Sequence, residues 1–321
     1  MPDPLSRLLA ARDWLLADGA TGTALINAGL PVGQAPGSWA LDNPEGLLAH
    51  HRATIAAGAD LLLTNSFGAN AAQQRSRDTQ SDGAARAAAI NHAAARIALA
   101  ATAEAGRPVL VAGSIGPTGE VMAPFGPMTQ ARATEIYTAQ AQALAEGGVR
   151  LLWAETLSSL EEVRAIAAAA RATGLPWCVT MSFDTAGRSM MGVAPAQFAA
   201  MVEGLRHPPL AIGANCGSGP ADLLRSLIAL AASGTKRPLI AKANAGVPHF
   251  SAGRVTYDGT PELMADYAVL ARDIGARIIG GCCGTSDGHL RAMHAALSAS
   301  SRGPRPDPEA VATRLARHAS A

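Results

Sequence analysis

The chain has 321 residues, 49% of them hydrophobic and only 4% aromatic, with a formal net charge of +1. That composition supplies a large core. The absence of any long basic stretch argues against nucleic acid, which wants a clustered positive face. No apolar run reaches the roughly 18 residues of a membrane span, and the N-terminus, with Asp3, Arg7, Arg12 and Asp13, does not read as a signal peptide, so the expected location is the cytoplasm.

Short apolar runs alternate with longer helix-like stretches. In chain order, strands are expected at 14–18, 60–66, 108–113, 150–155, 177–182, 210–215, 238–243 and 277–281. Helices are expected at 44–57, 84–105, 129–147, 159–173, 195–205, 220–233, 260–275 and 287–298. Strand cores such as LLLT, VLVA and LAIGA are almost continuously apolar, as in parallel strands buried on both faces. Asn43 before Pro44 and Thr260 before Pro261 are helix starts. Gly58, Gly106, Gly147, Gly174, Gly234 and Gly275 are helix stops. Eight such units predict a (β/α)8 barrel over residues 1–298, with a doubly wound open sheet as the rival. Residues 299–321 read as a C-terminal tail, with a short helix near 309–318.

In a barrel the chemistry sits at the C-terminal ends of the strands. Four cysteines in so long a chain are no disulfide framework. Cys178 falls mid-strand and reads as core. Cys216, in GANCGSG, and Cys282 and Cys283, in GGCCGT, fall at the ends of the sixth and eighth strands. Three thiolates and one open position make a catalytic zinc site. Adjacent residues on a strand point apart, so Cys282 and Cys283 can share a metal only where the strand has ended and Gly280, Gly281 and Gly284 free the backbone. Three buried small residues or a vicinal disulfide are the alternatives. A zinc ion on three thiolates is suited to keeping a fourth thiol deprotonated and nucleophilic, which points to alkyl transfer onto sulfur rather than hydrolysis.

Asp18 and Glu155 end the first and fourth strands, so the barrel would bring them together. They could hold a substrate ammonium, with the amides of Gly19, Ala20 and Thr21 receiving a carboxylate. The local alternative is that Asp18 caps its turn and Glu155 pairs with an arginine. GSIGPTG follows a strand but lacks both GxGxxG and GK[ST], which argues against a nucleotide. His50, His51 and the other histidines show no metal spacing and read as surface or structural.

DGATGT, the TNSF stretch, GSIGPTG, Glu155–Thr156, GANCG, NAG at Asn244 and GGCCGT together resemble the homocysteine S-methyltransferase family, over roughly residues 14–297. The resemblance implies a TIM barrel with zinc on Cys216, Cys282 and Cys283, homocysteine as acceptor and methionine as product. It carries Asp18 and Glu155 over as ammonium ligands, and Gly19 and Thr64 as residues placing the polar end of homocysteine. Animal betaine enzymes hold their quaternary ammonium in an aromatic box. Trp39 and Phe67 stand at matching positions, but Gly68 replaces the tyrosine of one wall. A small betaine-like onium compound, such as betaine or a sulfonium, is the expected donor. The alternative is a homocysteine-binding subunit of a split cobalamin-dependent methionine synthase, whose methyl-corrinoid would arrive on a separate protein. Homo-oligomer formation stays open.

Overall fold

The computed structural model describes residues 3–31, 33–77, 83–184, 186–251 and 254–318. Seven of the apolar runs become strands β1 (Leu15–Leu16), β2 (Leu61–Leu63), β3 (Leu110–Ile115), β4 (Leu152–Leu157), β5 (Trp177–Met181), β6 (Ala211–Cys216) and β7 (Leu239–Ala243). A hairpin, β8 (Pro248–Ser251) and β9 (Arg254–Tyr257), intervenes before the eighth barrel strand, β10 (Ala276–Gly281). The sheet runs β1-β10-β7-β6-β5-β4-β3-β2, with every pairing parallel. Its two edges meet where Ala17 bridges Leu61, with Asp18 N–H donating to Leu61 O at 3.0 Å and Asp60 N–H to Leu16 O at 2.7 Å. The architecture is a (β/α)8 barrel, as the sequence predicts.

The expected helices form as α4 (Pro44–Ala56), α6 (Gly83–Ala103), α7 (Gln130–Glu146), α8 (Leu160–Thr173), α9 (Pro195–Glu203), α10 (Pro220–Ala232), α11 (Pro261–Ile274) and α12 (Asp287–Ala299). Two of the starts expected from sequence are side-chain caps: Asn43 accepts from Gly46 N–H at 3.0 Å and Thr260 from Leu263 N–H at 3.2 Å. Further short helices lie outside the eight expected: α1 (Pro4–Ala11), α2 (Thr21–Asn27), the single turn α3 (Trp39–Asp42) and α5 (Ala71–Arg77). After α12 the chain continues to α13 (Pro308–Ala316), whose Val311 and Leu315 are buried and whose Arg314 pairs with Asp266 of α11 at 2.6 Å.

Two layers of core follow from burial on both strand faces. Leu15, Leu61, Leu151, Trp153, Cys178, Ile240 and Ile278 fill the barrel interior, and Leu5 of α1 joins them as a plug. Arg277 fixes that plug by donating to the carbonyls of Leu9, Arg12 and Asp13 at 2.6–2.7 Å. The second layer lies between strands and helices. With the barrel interior filled by these side chains, the C-terminal strand ends open onto the cavity that holds the thiol cluster. No helix among the described residues is long and apolar enough to cross a membrane.

Candidate active site

The thiol cluster begins with backbone geometry. Cys216 ends β6 with φ 65°, a left-handed conformation that costs a side-chain-bearing residue energy and needs surrounding support. Asn215 supplies that support. Its Oδ1 accepts from Thr156 N–H at 2.8 Å and Thr180 Oγ1 at 2.6 Å, and its Nδ2 donates to Thr156 Oγ1 at 2.7 Å. Thr156 is itself left-handed, at φ 63°, so one amide side chain holds both strained strand ends. The same Nδ2 reaches Cys282 Sγ at 3.7 Å.

Asn244, at the end of β7, performs the matching task. It accepts from Cys283 N–H at 3.0 Å and donates to Gly217 O at 2.6 Å and Cys216 Sγ at 3.6 Å. Gly284 turns the chain at φ +78°, and a Cβ there would fall 2.2 Å from the Tyr257 ring. The hairpin thus lays Tyr257 over the turn, and burial, then the Cys283 thiol beside it, push its hydroxyl pKa up.

Cys216, Cys282 and Cys283 place their sulfurs within 4.8 Å of one another, all half-buried. Tetrahedral zinc with bonds of about 2.3 Å spaces its sulfurs by about 3.8 Å, so three soft donors this close together fit such an ion, which Cys216, Cys282 and Cys283 would hold. The three thiols act on one another: Cys216 is pushed down by Cys282 and then Cys283 beside it, whereas Cys282 and Cys283 are raised, first by Cys216. A dication bound there would displace thiol protons. Cys178 lies fully buried in β5, apart from this cluster.

The cavity beside the sulfurs measures about 410 Å³ and is lined by Asp18, Gly19, Thr64, Phe67, Glu155 and the three cysteines, among others. Glu155 accepts from Ser114 Oγ at 2.5 Å. Burial pushes its carboxyl up to about 7, against the opposing pull of Lys242. Asp18 is differently placed: Oδ1 meets Lys242 Nζ at 2.6 Å and Oδ2 accepts from Leu63 N–H at 2.7 Å. Burial favours a neutral Lys242, but Asp18 and Glu155 more than offset this, and its net shift is upward. The ammonium also lies 5.7 Å from the centroid of the Trp153 ring. Thr64 Oγ1 accepts from Ser114 N–H at 2.9 Å, which ties the second strand end to the third.

Two expectations change. The Ala20 amide donates to Thr285 O at 3.1 Å and is not free for a substrate carboxylate. Trp39 is 7% exposed and packs with Leu25, Leu47 and Ile90; it does not line the cavity formed by the described residues. Which side of the short α3 turns inward is a tertiary outcome that its sequence does not encode. Phe67 does line the cavity, its ring lying where a Cβ on Gly116 would fall, at 2.6 Å. Sequence reasoning missed Lys242 and Tyr257. A lysine inside the apolar run LIAKA was the available signal for the first. A tyrosine fourteen residues beyond the end of β7 gave none for the second.

A family model described as homocysteine S-methyltransferase matches residues 15–297. Among solved structures, the metallated form of the homocysteine methyltransferase MmuM from Escherichia coli superposes with a TM-score of 0.77 at 26% identity, covering 91% of this chain and 99% of that one. The methionine synthase of Mycobacterium tuberculosis is 28% identical over 300 residues, and that of Mycobacterium leprae 29%. These matches cover 88% of this chain but 24% of each synthase, so the chain spans about a quarter of the length of those relatives.

Proposed function

We propose that this chain, a methyltransferase belonging to the homocysteine S-methyltransferase family, is a zinc enzyme that makes methionine from homocysteine with a small onium compound, betaine-like, as methyl donor. The observation that carries the reading is the triangle of Cys216, Cys282 and Cys283 opening onto a cavity that also holds a buried carboxyl, Glu155.

Zinc on the three cysteines would lower the pKa of the homocysteine thiol, so that a thiolate persists at neutral pH. The chain's own residues do the rest. Asn215 and Asn244 hold the cysteine-bearing turns in their strained geometry. Glu155 offers an oxygen to the substrate ammonium, and becomes charged as that cation arrives because the ion pair offsets its burial. Fixing the amino-acid end orients the sulfur, so its attack on the methyl carbon is effectively unimolecular. A sulfur–carbon bond forms, the methyl–nitrogen or methyl–sulfonium bond breaks with its electron pair leaving on the donor, and the thiol proton passes to solvent. Phe67 supplies one aromatic face for an onium group.

A second reading rests on the similarity to methionine synthases: the chain is a homocysteine-binding subunit whose methyl group comes from a corrinoid protein. A single experiment separates the two. Purified zinc-loaded protein is incubated with homocysteine and, in turn, betaine, dimethylsulfoniopropionate, S-methylmethionine or methylcobalamin, and methionine is measured. Product from an onium donor without any other protein supports the main reading. Product only when a methyl-corrinoid protein is added supports the second.

A further inference from the structure

The two carboxylates expected to share a substrate ammonium are not equivalent, because an internal cation stands beside one of them. Lys242 is on β7, opposite Gly280 of β10, with a side chain only 3% exposed. Its Nζ lies 2.6 Å from Asp18 Oδ1, and Leu63 N–H occupies Oδ2 at 2.7 Å. Both oxygens of Asp18 thus already face protein donors. A second ammonium brought to Asp18 would be set against the first, in a place where little water screens the repulsion. Glu155 has a single partner, Ser114, on Oε1, and its other oxygen takes no hydrogen bond from the described residues. Glu155 lines the same cavity as the sulfurs.

We propose that Lys242 locks Asp18 into an internal ion pair, so that Glu155 alone receives the ammonium of the amino-acid substrate. Lys242 is then a positioning residue that determines specificity: it decides which carboxylate reads the amino group. The inference rests on the homocysteine reading of the site. It predicts a particular exchange of roles. Removing the Lys242 charge frees Asp18, which can then substitute for a missing Glu155.

The test is equilibrium binding to the zinc-loaded full chain under reducing conditions, by calorimetry, with homocysteine and with 4-mercaptobutanoate, which keeps the thiol and carboxylate and lacks the amino group. The readout is the ratio of the two dissociation constants. Wild-type protein should prefer homocysteine by at least about tenfold, the worth of a charge-assisted hydrogen bond in a buried site. Glu155→Gln should bring the ratio to within about twofold of unity. The double variant Asp18→Asn/Lys242→Met, which removes the pair without leaving a lone charge, should keep it within about threefold of wild type. Glu155→Gln/Lys242→Met should regain at least about fivefold preference, an outcome that a merely structural lysine would not produce. A preference that survives Glu155→Gln but vanishes in Asp18→Asn/Lys242→Met, or a Glu155→Gln/Lys242→Met protein with no regained preference, overturns the inference while leaving the homocysteine reading intact. Wild-type protein that binds neither thiol overturns that reading, and the inference with it.

Discussion

His51 gives a stability prediction whose size follows from burial alone. It sits on α4 with no exposed surface, and neither ring nitrogen has a hydrogen-bond partner among the described residues. His50 lies beside it, with ring centroids 5.6 Å apart. Burial, then the His50 charge, push the His51 pKa down from 6.5 to about 3. The folded state therefore binds this proton more weakly than the unfolded state, and the stability it contributes is present above pH 6.5 and lost as the pH falls toward 3. Because the folded value lies far below pH 5, the loss between pH 7 and pH 5 is set by the unfolded value and comes to about 2 kcal/mol. The perturbation is His51→Leu, which fills the space without a titrating group. Urea unfolding at both pH values gives a double difference. Wild type should lose about 2 kcal/mol more than the variant on acidification. Glu155 has the opposite sign, since its raised pKa favours the folded state at low pH and that contribution is lost as pH rises through about 7. It is present in both proteins and cancels. Equal acid losses in wild type and His51→Leu would refute the reasoning, because they would mean that His51 has a solvated route to its proton.

The remaining predictions concern the site. Cys216→Ala should bind less than one-tenth of the zinc held by wild type, by a chromophoric chelator assay, with unchanged far-ultraviolet circular dichroism; full zinc content would remove Cys216 from the ligand set. Asn215→Ala strands Thr156 N–H and Thr180 Oγ1 in the interior, and should cost about 2–3 kcal/mol by urea unfolding. Tyr257→Phe removes a hydroxyl from Cys283 and should weaken zinc binding by about tenfold in chelator competition, the scale of a lost outer hydrogen bond, with little change in unfolding midpoint. Phe67→Ala should raise the KM for an onium donor while the dissociation constant of homocysteine stays within about twofold, since the ring is a half-exposed part of the cavity lining and offers no ligand to the thiol or the amino group.

The barrel was legible because its strands are buried on both faces and so carry few polar interruptions, as in the run at Leu61–Leu63. The thiol cluster was legible for a related reason. A strand end fixes where a residue lies in the barrel, so Cys216 and Cys282 could be placed on one rim from sequence position alone. What escaped depends on through-space partners. Lys242 reads as one anomalous letter in an apolar run until Asp18, more than two hundred residues away, is seen beside it. Leu5 belongs to an unremarkable amphipathic turn until the open end of the barrel explains its burial. The hairpin at Pro248–Tyr257 lies outside the strand–helix alternation, so a reading built on that alternation passes over it.

The same distinction divides the reaction. Everything that would hold or position the acceptor comes from strand ends: Glu155 within β4, Cys216 at the close of β6, and Cys282 and Cys283 after β10, with the internal pair of Asp18 after β1 and Lys242 in β7 beside them. Parallel pairing fixes these residues relative to one another, and side-chain amides from Asn215 and Asn244 stiffen the turns between them. The donor side is built otherwise. Phe67, Gly68, Gln73 and Gln74 come from the segment between β2 and α5 and from α5 itself. Phe67 remains 39% exposed there. A site of that construction holds the thiol by rigid geometry and reads the donor through replaceable loop residues. Burial of Trp39 in the helical layer carries the argument one step further. With that ring withdrawn, recognition of an onium cation under the proposed function would rest on Phe67 as the aromatic face, which would favour a compact donor over a large one.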